Sequence, residues 1–295
     1  MTKRNNEERL GGMPSSGAKE AADAPITPPA DAGGLAFVSP TQLVDLPSEG
    51  KFYPEGHPLH NKRTIEIREM TAREEDILSS QTLIKKGVVL ERLLQSIIVD
   101  SRIDPQHLLL GDKNAVFIAA RISGYGADYK TTVSCPNCGT SQTTVFDLSE
   151  FSSPGLPDMA FVSDKISSQV EETGGGTFLV KLPKSQLDVE LRLINGEAEK
   201  RIAANLEARK KQRMTEKPLT EHLKACIVSA AGVTERGELG KFIDSMPAQD
   251  SRFIRKVMLE ITPNIDLTQE FVCGACDYEQ DMEVPINLDF FWPDE

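Results

Sequence analysis

The 295-residue chain carries 33 Lys and Arg against 45 Asp and Glu, giving a formal net charge of −12, and 39% of its residues are hydrophobic. Its length allows one large domain or two small ones, and its acidic balance argues against a protein built mainly to neutralise phosphates. No apolar run reaches the roughly 18 residues that a membrane span needs, so we expect no membrane segment, and the polar start predicts no signal peptide.

The loop over residues 46–60 is dense in Pro and Gly, which predicts a series of turns. It carries Phe52, Tyr53 and His57. Aromatic side chains held on a rigid loop are typical anchors of protein–protein contacts. We interpret Phe52 and Tyr53, with His57 beside them, as partner-docking residues. The alternatives are that the two rings pack the loop onto its own domain and that His57 is solvated.

Strand and helix signals follow this loop in the first half of the chain. Residues 64–69 alternate between polar and apolar side chains, which predicts a strand. Thr71 and Glu74 form a capping-box pattern that starts a helix. A helical apolar stripe runs through residues 88–99. Asp112 is an N-cap type and predicts the start of a further helix.

The same order of signals recurs in the second half. The sequence LDVELRLINGEAEKRI (187–202) aligns with RTIEIREMTAREEDIL (63–78), so that Asn195 falls on the capping threonine. Asp250 takes the place of Asp112 before the next helix. The shared order indicates an internal duplication, and duplicated units commonly pack around a pseudo-twofold axis.

These signals predict an α+β chain in three parts. Residues 1–35 are rich in Gly, Ala, Pro, Ser and charge and bury too little apolar area to offset the entropy of ordering, so we expect a disordered arm. Residues 36–155 and 156–295 are predicted to be tandem copies of strand, helices, strand, CxxC and strand. Each copy is expected to supply one zinc knuckle to a split, ribbon-like site.

Four of the five cysteines form two CxxC pairs, Cys135 with Cys138 and Cys273 with Cys276, each between predicted strands. Four thiolates are the ligand set of a closed, tetrahedral structural zinc site. We therefore predict one structural Zn²⁺ per chain, shared by the two copies. The alternatives are redox pairs, which need a helix N-terminus after a strand, and partial sites completed between chains. Cys226 is expected to be a buried thiol.

Other parts of the sequence give weaker signals. No nucleophile–base constellation is visible, so we do not predict an enzyme. The basic residues at 209–213 are interpreted as a solvated helix face, with a nucleic-acid or acidic partner as the alternative. Phe290, Phe291 and Trp292 are either a last core strand or an interface patch, and Trp292 is kept among the partner-docking residues.

Three segments together resemble the T4-like bacteriophage baseplate hub proteins, with the clearest likeness over residues 44–145. They are LPSEGKFYP (46–54), REMTAREEDIL (68–78) and RISGYGADYKTTVSCPNCG (121–139). The resemblance implies a structural or assembly protein of a contractile tail's baseplate, made in the bacterial host cytoplasm and located in the virion tail. It also implies an oligomeric assembly with other baseplate, hub and tail proteins.

Three functions remain open at this point. The first is a non-enzymatic structural component of the hub. The second is a hub assembly chaperone that is absent from the mature virion. The third is a zinc-ribbon nucleic-acid-binding protein, which the acidic residues around the two CxxC pairs disfavour, since phosphate avoids such a surface.

Overall fold

Small antiparallel sheets alternate with helices along the chain, as expected for the α+β class. A computed structural model describes residues 39–166, 168–284 and 288–291. The predicted arm over residues 1–35 and Trp292 lie outside these ranges. The first half contributes β1 (Thr41–Asp45), β2 (Thr64–Arg68), α1 (Ala72–Ser79), α2 (Gln81–Lys86), α3 (Val89–Ile97), α4 (Leu110–Tyr125), β3 (Asp128–Ser134) and β4 (Ser141–Asp147).

The second half repeats this series with added elements. It contributes α5 (Met159–Ile166), β5 (Val170–Gly174), β6 (Thr177–Lys181), β7 (Asp188–Arg192), α6 (Gly196–Lys211), α7 (Pro218–Cys226), β8 (Ile227–Ala230), α8 (Arg236–Ser245), α9 (Ala248–Ile261), β9 (Thr268–Val272) and β10 (Glu279–Glu283). Strands β5 to β8 form one antiparallel sheet in that order, and β1–β2, β3–β4 and β9–β10 form two-stranded sheets.

Strand pairing supports the duplication. The β1–β2 hairpin sets Val44 opposite Ile65, and the β6–β7 hairpin sets Val180 opposite Val189 in the same antiparallel arrangement. A Leu-Pro step follows the first strand of each hairpin, and its leucine amide donates back across the hairpin in both halves, at 2.8 Å and 2.9 Å. The two halves therefore share their hairpins, while the boundaries at residues 35 and 155 stay predictions.

Local capping signals place the helices that follow each hairpin. Thr71 and Glu74 form the reciprocal hydrogen bonds of a capping box at the start of α1. Asn195 accepts a hydrogen bond from the Ala198 amide at 3.0 Å at the start of α6. The two caps predicted from the sequence are thus confirmed.

The predicted cap at Asp112 is wrong. Helix α4 already begins at Leu110, and Asp112 lies within its first turn. Its buried carboxylate instead accepts hydrogen bonds from the Ser48 amide (2.9 Å), the Ser48 hydroxyl (2.5 Å) and the Tyr53 hydroxyl (2.7 Å). These donors lie on a loop that is remote in sequence, so a pattern around Asp112 could not reveal them. The carboxylate holds the loop against α4.

Asp250 makes the equivalent tie in the second half. It lies in the first turn of α9 and is fully buried, as is its counterpart in α4. Its carboxylate accepts hydrogen bonds from the amides of Lys184 (2.7 Å) and Ser185 (3.0 Å), which follow the second Leu-Pro step. In each half, therefore, a buried aspartate fastens the hairpin turn to the helix that leads to the CxxC hairpin.

The C-terminal aromatic residues pack into the core without forming the last strand that the sequence allowed. Phe290 and Phe291 are buried in a short 3₁₀ turn over Leu288–Phe291. The buried guanidinium of Arg121 donates to the carbonyls of Phe290 (2.8 Å) and Gly126 (2.7 Å). Arg121 thereby fixes this turn and the start of β3 on α4, which positions the first CxxC hairpin.

Candidate metal centre

The two CxxC pairs lie at the tips of matching hairpins. In the first hairpin, Ser134 pairs with Ser141 and closes a loop over residues 135–140. In the second, Val272 pairs with Glu279 and closes a loop over residues 273–278. The two loops have the same length and the same cysteine positions, so both hairpins present their thiols from equivalent backbone positions.

Backbone hydrogen bonds give both loops the same turn. The amide of Gly139 donates to the carbonyl of Cys135 at 2.8 Å, and the amide of Asp277 donates to the carbonyl of Cys273 at 2.9 Å. Gly139 has φ of 72° and Asp277 has φ of 53°, in the left-handed region that glycine and aspartate tolerate. In both loops the residue in this conformation directly follows the second cysteine of the pair.

The four thiols converge on one point. The Sγ atoms of Cys135 and Cys276 are 3.8 Å apart, and those of Cys138 and Cys273 are 3.7 Å apart. All four sulfurs lie within 4.8 Å of one another. A tetrahedron with metal–sulfur bonds of about 2.3 Å has sulfur–sulfur edges of about 3.8 Å, whereas a disulfide bond would bring two sulfurs to about 2.05 Å. The donor set therefore fits one tetrahedral metal ion.

Two glutamine side chains join the two hairpins, one beside the thiols and one at the end of the first hairpin away from them. Gln142 of the first hairpin donates to the Val272 carbonyl at 2.8 Å and accepts from the Gly274 amide at 2.8 Å. Gln269 of the second hairpin accepts from the Asp147 amide at 3.2 Å and donates to the Asp147 carbonyl. These contacts hold the two hairpins together with bonds that need no metal. The sequence analysis missed both glutamines because their partners are remote in the chain.

Burial differs among the four thiols. Cys135 and Cys273 are buried, Cys276 is half-buried and Cys138 is exposed. Hydrogen bonds from the Thr140 side chain and backbone lower the pKa of the Cys138 thiol to about 6. A lowered pKa favours the thiolate, which is the form that binds a metal.

The alternative of a redox pair finds no support in this arrangement. Each pair lies between two strands of a hairpin, whereas a redox CxxC needs a helix N-terminus to stabilise its thiolate. Cys226 lies apart at the end of α7, is buried and donates to the Leu223 carbonyl. Burial raises the pKa of its thiol to about 12, so it has the character of the core thiol that was expected.

The predicted docking residues occupy different places. Phe52 and Tyr53 are buried, and the ring of Phe52 packs against Phe178 of β6 at 5.5 Å between centroids. His57 stacks on Tyr53 at 4.5 Å. The two rings therefore pack the loop onto the chain's own core, which was the alternative interpretation. Their docking role remains a prediction, and Trp292 lies outside the described residues.

Comparison with known proteins identifies the family. A family model described as T4 bacteriophage base plate protein matches residues 40–292. The chain belongs to this family. No curated protein and no solved structure shows a significant match to the base plate chain.

Membership in the base plate family confirms the resemblance to T4-like baseplate proteins, while the hub assignment stays a prediction. The match spans both halves and both CxxC hairpins. It implies a protein of the phage tail that contacts other baseplate and tail proteins. Among the described helices, none combines the length and the apolar character that crossing a bilayer requires.

Proposed function

We propose that this base plate protein is a non-enzymatic structural component of the hub of a contractile tail, with its two halves joined by one structural Zn²⁺. The observation that carries the proposal is the family match over residues 40–292, which includes every described helix and strand of both halves.

Zinc is the metal that this ligand set favours. Cys135, Cys138, Cys273 and Cys276 would hold it, and soft thiolates arranged as a tetrahedron select zinc over the hard cations. When bound, the ion supplies folding energy rather than chemistry, because four protein ligands leave no position for water or substrate. Because each half provides two of the ligands, the ion would link two segments that are far apart in the sequence.

A non-enzymatic role agrees with the closed character of this centre. Three of the buried polar groups elsewhere, Asp112, Asp250 and Arg121, bond to backbone and side-chain groups of the fold itself. They bind loops to helices and do not converge on a cleft. Their arrangement supports a protein that acts by presenting surfaces to neighbours in an oligomeric assembly.

Two other functions compete with the hub role. An assembly chaperone would have the same fold but would leave before the virion is complete. A nucleic-acid-binding ribbon would need a basic face, and the second hairpin instead exposes Glu279, Asp281 and Glu283. We therefore retain the chaperone as the main competitor.

Quantitative mass spectrometry of purified phage particles tests the proposal. Isotope-labelled peptides from both halves would give the copies of this chain per particle, with the infected-cell lysate measured in parallel. A fixed, small copy number in particles is expected for a hub component. Abundance in the lysate with absence from particles would replace the hub role with that of an assembly chaperone, made in the host cytoplasm and released.

A further inference from the structure

A cleft in the second half is lined by cations. Its volume is about 720 Å³, and it lies between the end of α5, the end of β6 and the outer side of α9. Three of the residues that line it are Lys181, Arg252 and Lys256, and none of its described lining residues is acidic. In a chain with a net charge of −12, such a cleft is suited to an acidic partner.

Among the described residues, two of these cations have no ion pair. Arg252 and Lys256 are exposed and lie one turn apart on α9, a spacing at which like charges destabilise a helix. Lys256 donates to the carbonyl of Lys165. Glu260, one turn further along α9, instead pairs with the Lys165 ammonium at 2.8 Å. Lys181 differs, because the β6–β7 register places Asp188 directly opposite it. The argument therefore depends on the α9 pair.

An uncompensated acidic surface lies on the second CxxC hairpin. Glu270, Glu279, Asp281 and Glu283 are all exposed and share one face of β9 and β10. Glu270 and Asp281 are direct cross-strand neighbours, and like charges at such positions are destabilising. Among the described residues, none of the four carboxylates has an ion pair. We name this surface the acidic hairpin face.

Comparison of the two halves shows that the fold does not require either surface. Thr132 and Thr143 form the cross-strand pair of the first hairpin that corresponds to Glu270 and Asp281. The positions of Arg252 and Lys256 correspond to Asn114 and Ile118 on α4, counted from the two buried aspartates. Both surfaces are therefore departures of the second half from the shared pattern, with opposite charge.

We propose that the cationic cleft of one chain binds the acidic hairpin face of a second copy of the chain. Each contact would bring the like charges of one surface against the opposite charges of the other and so relieve both repulsions. Because the two surfaces differ, the contact is head-to-tail, and repeated contacts close into a ring when the rotation per subunit permits. This inference rests on the proposed function in one respect, because it requires that copies of the chain meet in an assembly.

Sedimentation velocity of the zinc-loaded full chain tests this contact. We expect self-association at low ionic strength that disappears in about 1 M salt, where the Debye length is about 3 Å. A cleft variant, Arg252→Glu with Lys256→Glu, and a face variant, Glu270→Lys with Asp281→Lys, should each weaken association at least about tenfold. The matched control, Lys210→Glu with Arg213→Glu on exposed positions outside the cleft, should associate as the wild type does.

Mixing the variants gives the decisive result. The face variant keeps a native cleft and the cleft variant keeps a native acidic face, so an equimolar mixture should associate although neither variant does alone. Recovery in the mixture also shows that both variants are folded. Wild-type protein that stays monomeric, or association that the control weakens as much as the cleft variant does, would overturn the inference. Neither result would alter the copy number in particles, which tests the hub role separately.

Discussion

Replacing Tyr53 with phenylalanine removes a buried hydroxyl that fastens the long loop to α4. This hydroxyl donates to the Asp112 carboxylate at 2.7 Å and accepts from the Leu109 amide at 3.1 Å. Burial raises the pKa of Tyr53 well above its ordinary value, with the nearby Asp112 adding to the effect, so the donor proton is retained. The variant loses one hydrogen bond to a carboxylate and leaves a buried amide without its acceptor. We expect the free energy of unfolding to fall by about 2–4 kcal/mol.

Urea denaturation at neutral pH measures this loss, provided that the m-value is unchanged. Tyr125→Phe is the matched control, because that side chain is only half-buried; it should cost about 1 kcal/mol or less. A Tyr53→Phe loss below about 0.5 kcal/mol would refute the reasoning that this hydroxyl anchors the loop. If that variant kept its stability but failed to enter particles, Tyr53 would instead be the docking residue predicted from the sequence.

Three further predictions concern backbone, charge and thiols. Gly176→Ala should lower the free energy of unfolding, measured in urea, by at least about 2 kcal/mol. At this position φ is 78°, and the added Cβ would lie 2.5 Å from the Phe52 carbonyl oxygen. The control Gly175→Ala, where φ is 61° and the space is open, should lower it by about 1 kcal/mol. Burial raises the pKa of Asp112 in the folded chain above the value of about 4 that an aspartate has in an unfolded chain. The free energy of unfolding of the wild type should therefore fall, relative to that of Asp112→Asn, as the pH rises from about 4 through the pKa of the folded chain. A difference between the two that is constant with pH would contradict this. Removal of the metal by a chelator should expose the four clustered thiols to iodoacetamide, whereas Cys226, whose pKa is raised to about 12, should react only after unfolding. Mass spectrometry counts the adducts, and an adduct on Cys226 in the folded protein would contradict this.

Local signals were sufficient where the structure depends on neighbours in sequence. The alternating segment at residues 64–69 predicted β2, observed at Thr64–Arg68, and the capping pattern at Thr71 predicted the start of α1. These elements are decided by side-chain alternation and by hydrogen bonds that span three residues. Such information is present in any short window of the sequence.

The metal centre could be predicted because the repeat carries long-range information. Cys135 and Cys273 are far apart in sequence, yet Asp112 and Asp250 precede their cysteine pairs by the same number of residues. Equivalent positions in two halves that share one core can meet at one point, and the four sulfurs do so. Without the repeat, two distant CxxC pairs would not have indicated a common site.

The remaining features depend on contacts that no local pattern encodes. Asp112 was assigned to its own helix because an aspartate near a helix start commonly caps it, whereas a loop more than 50 residues away supplies its donors. Gln142 and Gln269 were missed for the same reason, since their backbone partners lie in the opposite hairpin. An exposed aromatic loop and a buried one have the same composition, so Phe52 could be placed only by the structure.

Metal content per chain tests most directly the central claim that the two halves share one zinc. The purified wild-type protein, analysed by native mass spectrometry and by elemental analysis, should hold one zinc per chain. Cys138→Ser in the first hairpin and Cys276→Ser in the second should each abolish it, since either change removes one of the four ligands. Cys226→Ser, outside the cluster, should leave the zinc in place. Retention of a full zinc in both hairpin variants, or two ions per wild-type chain, would contradict the shared centre.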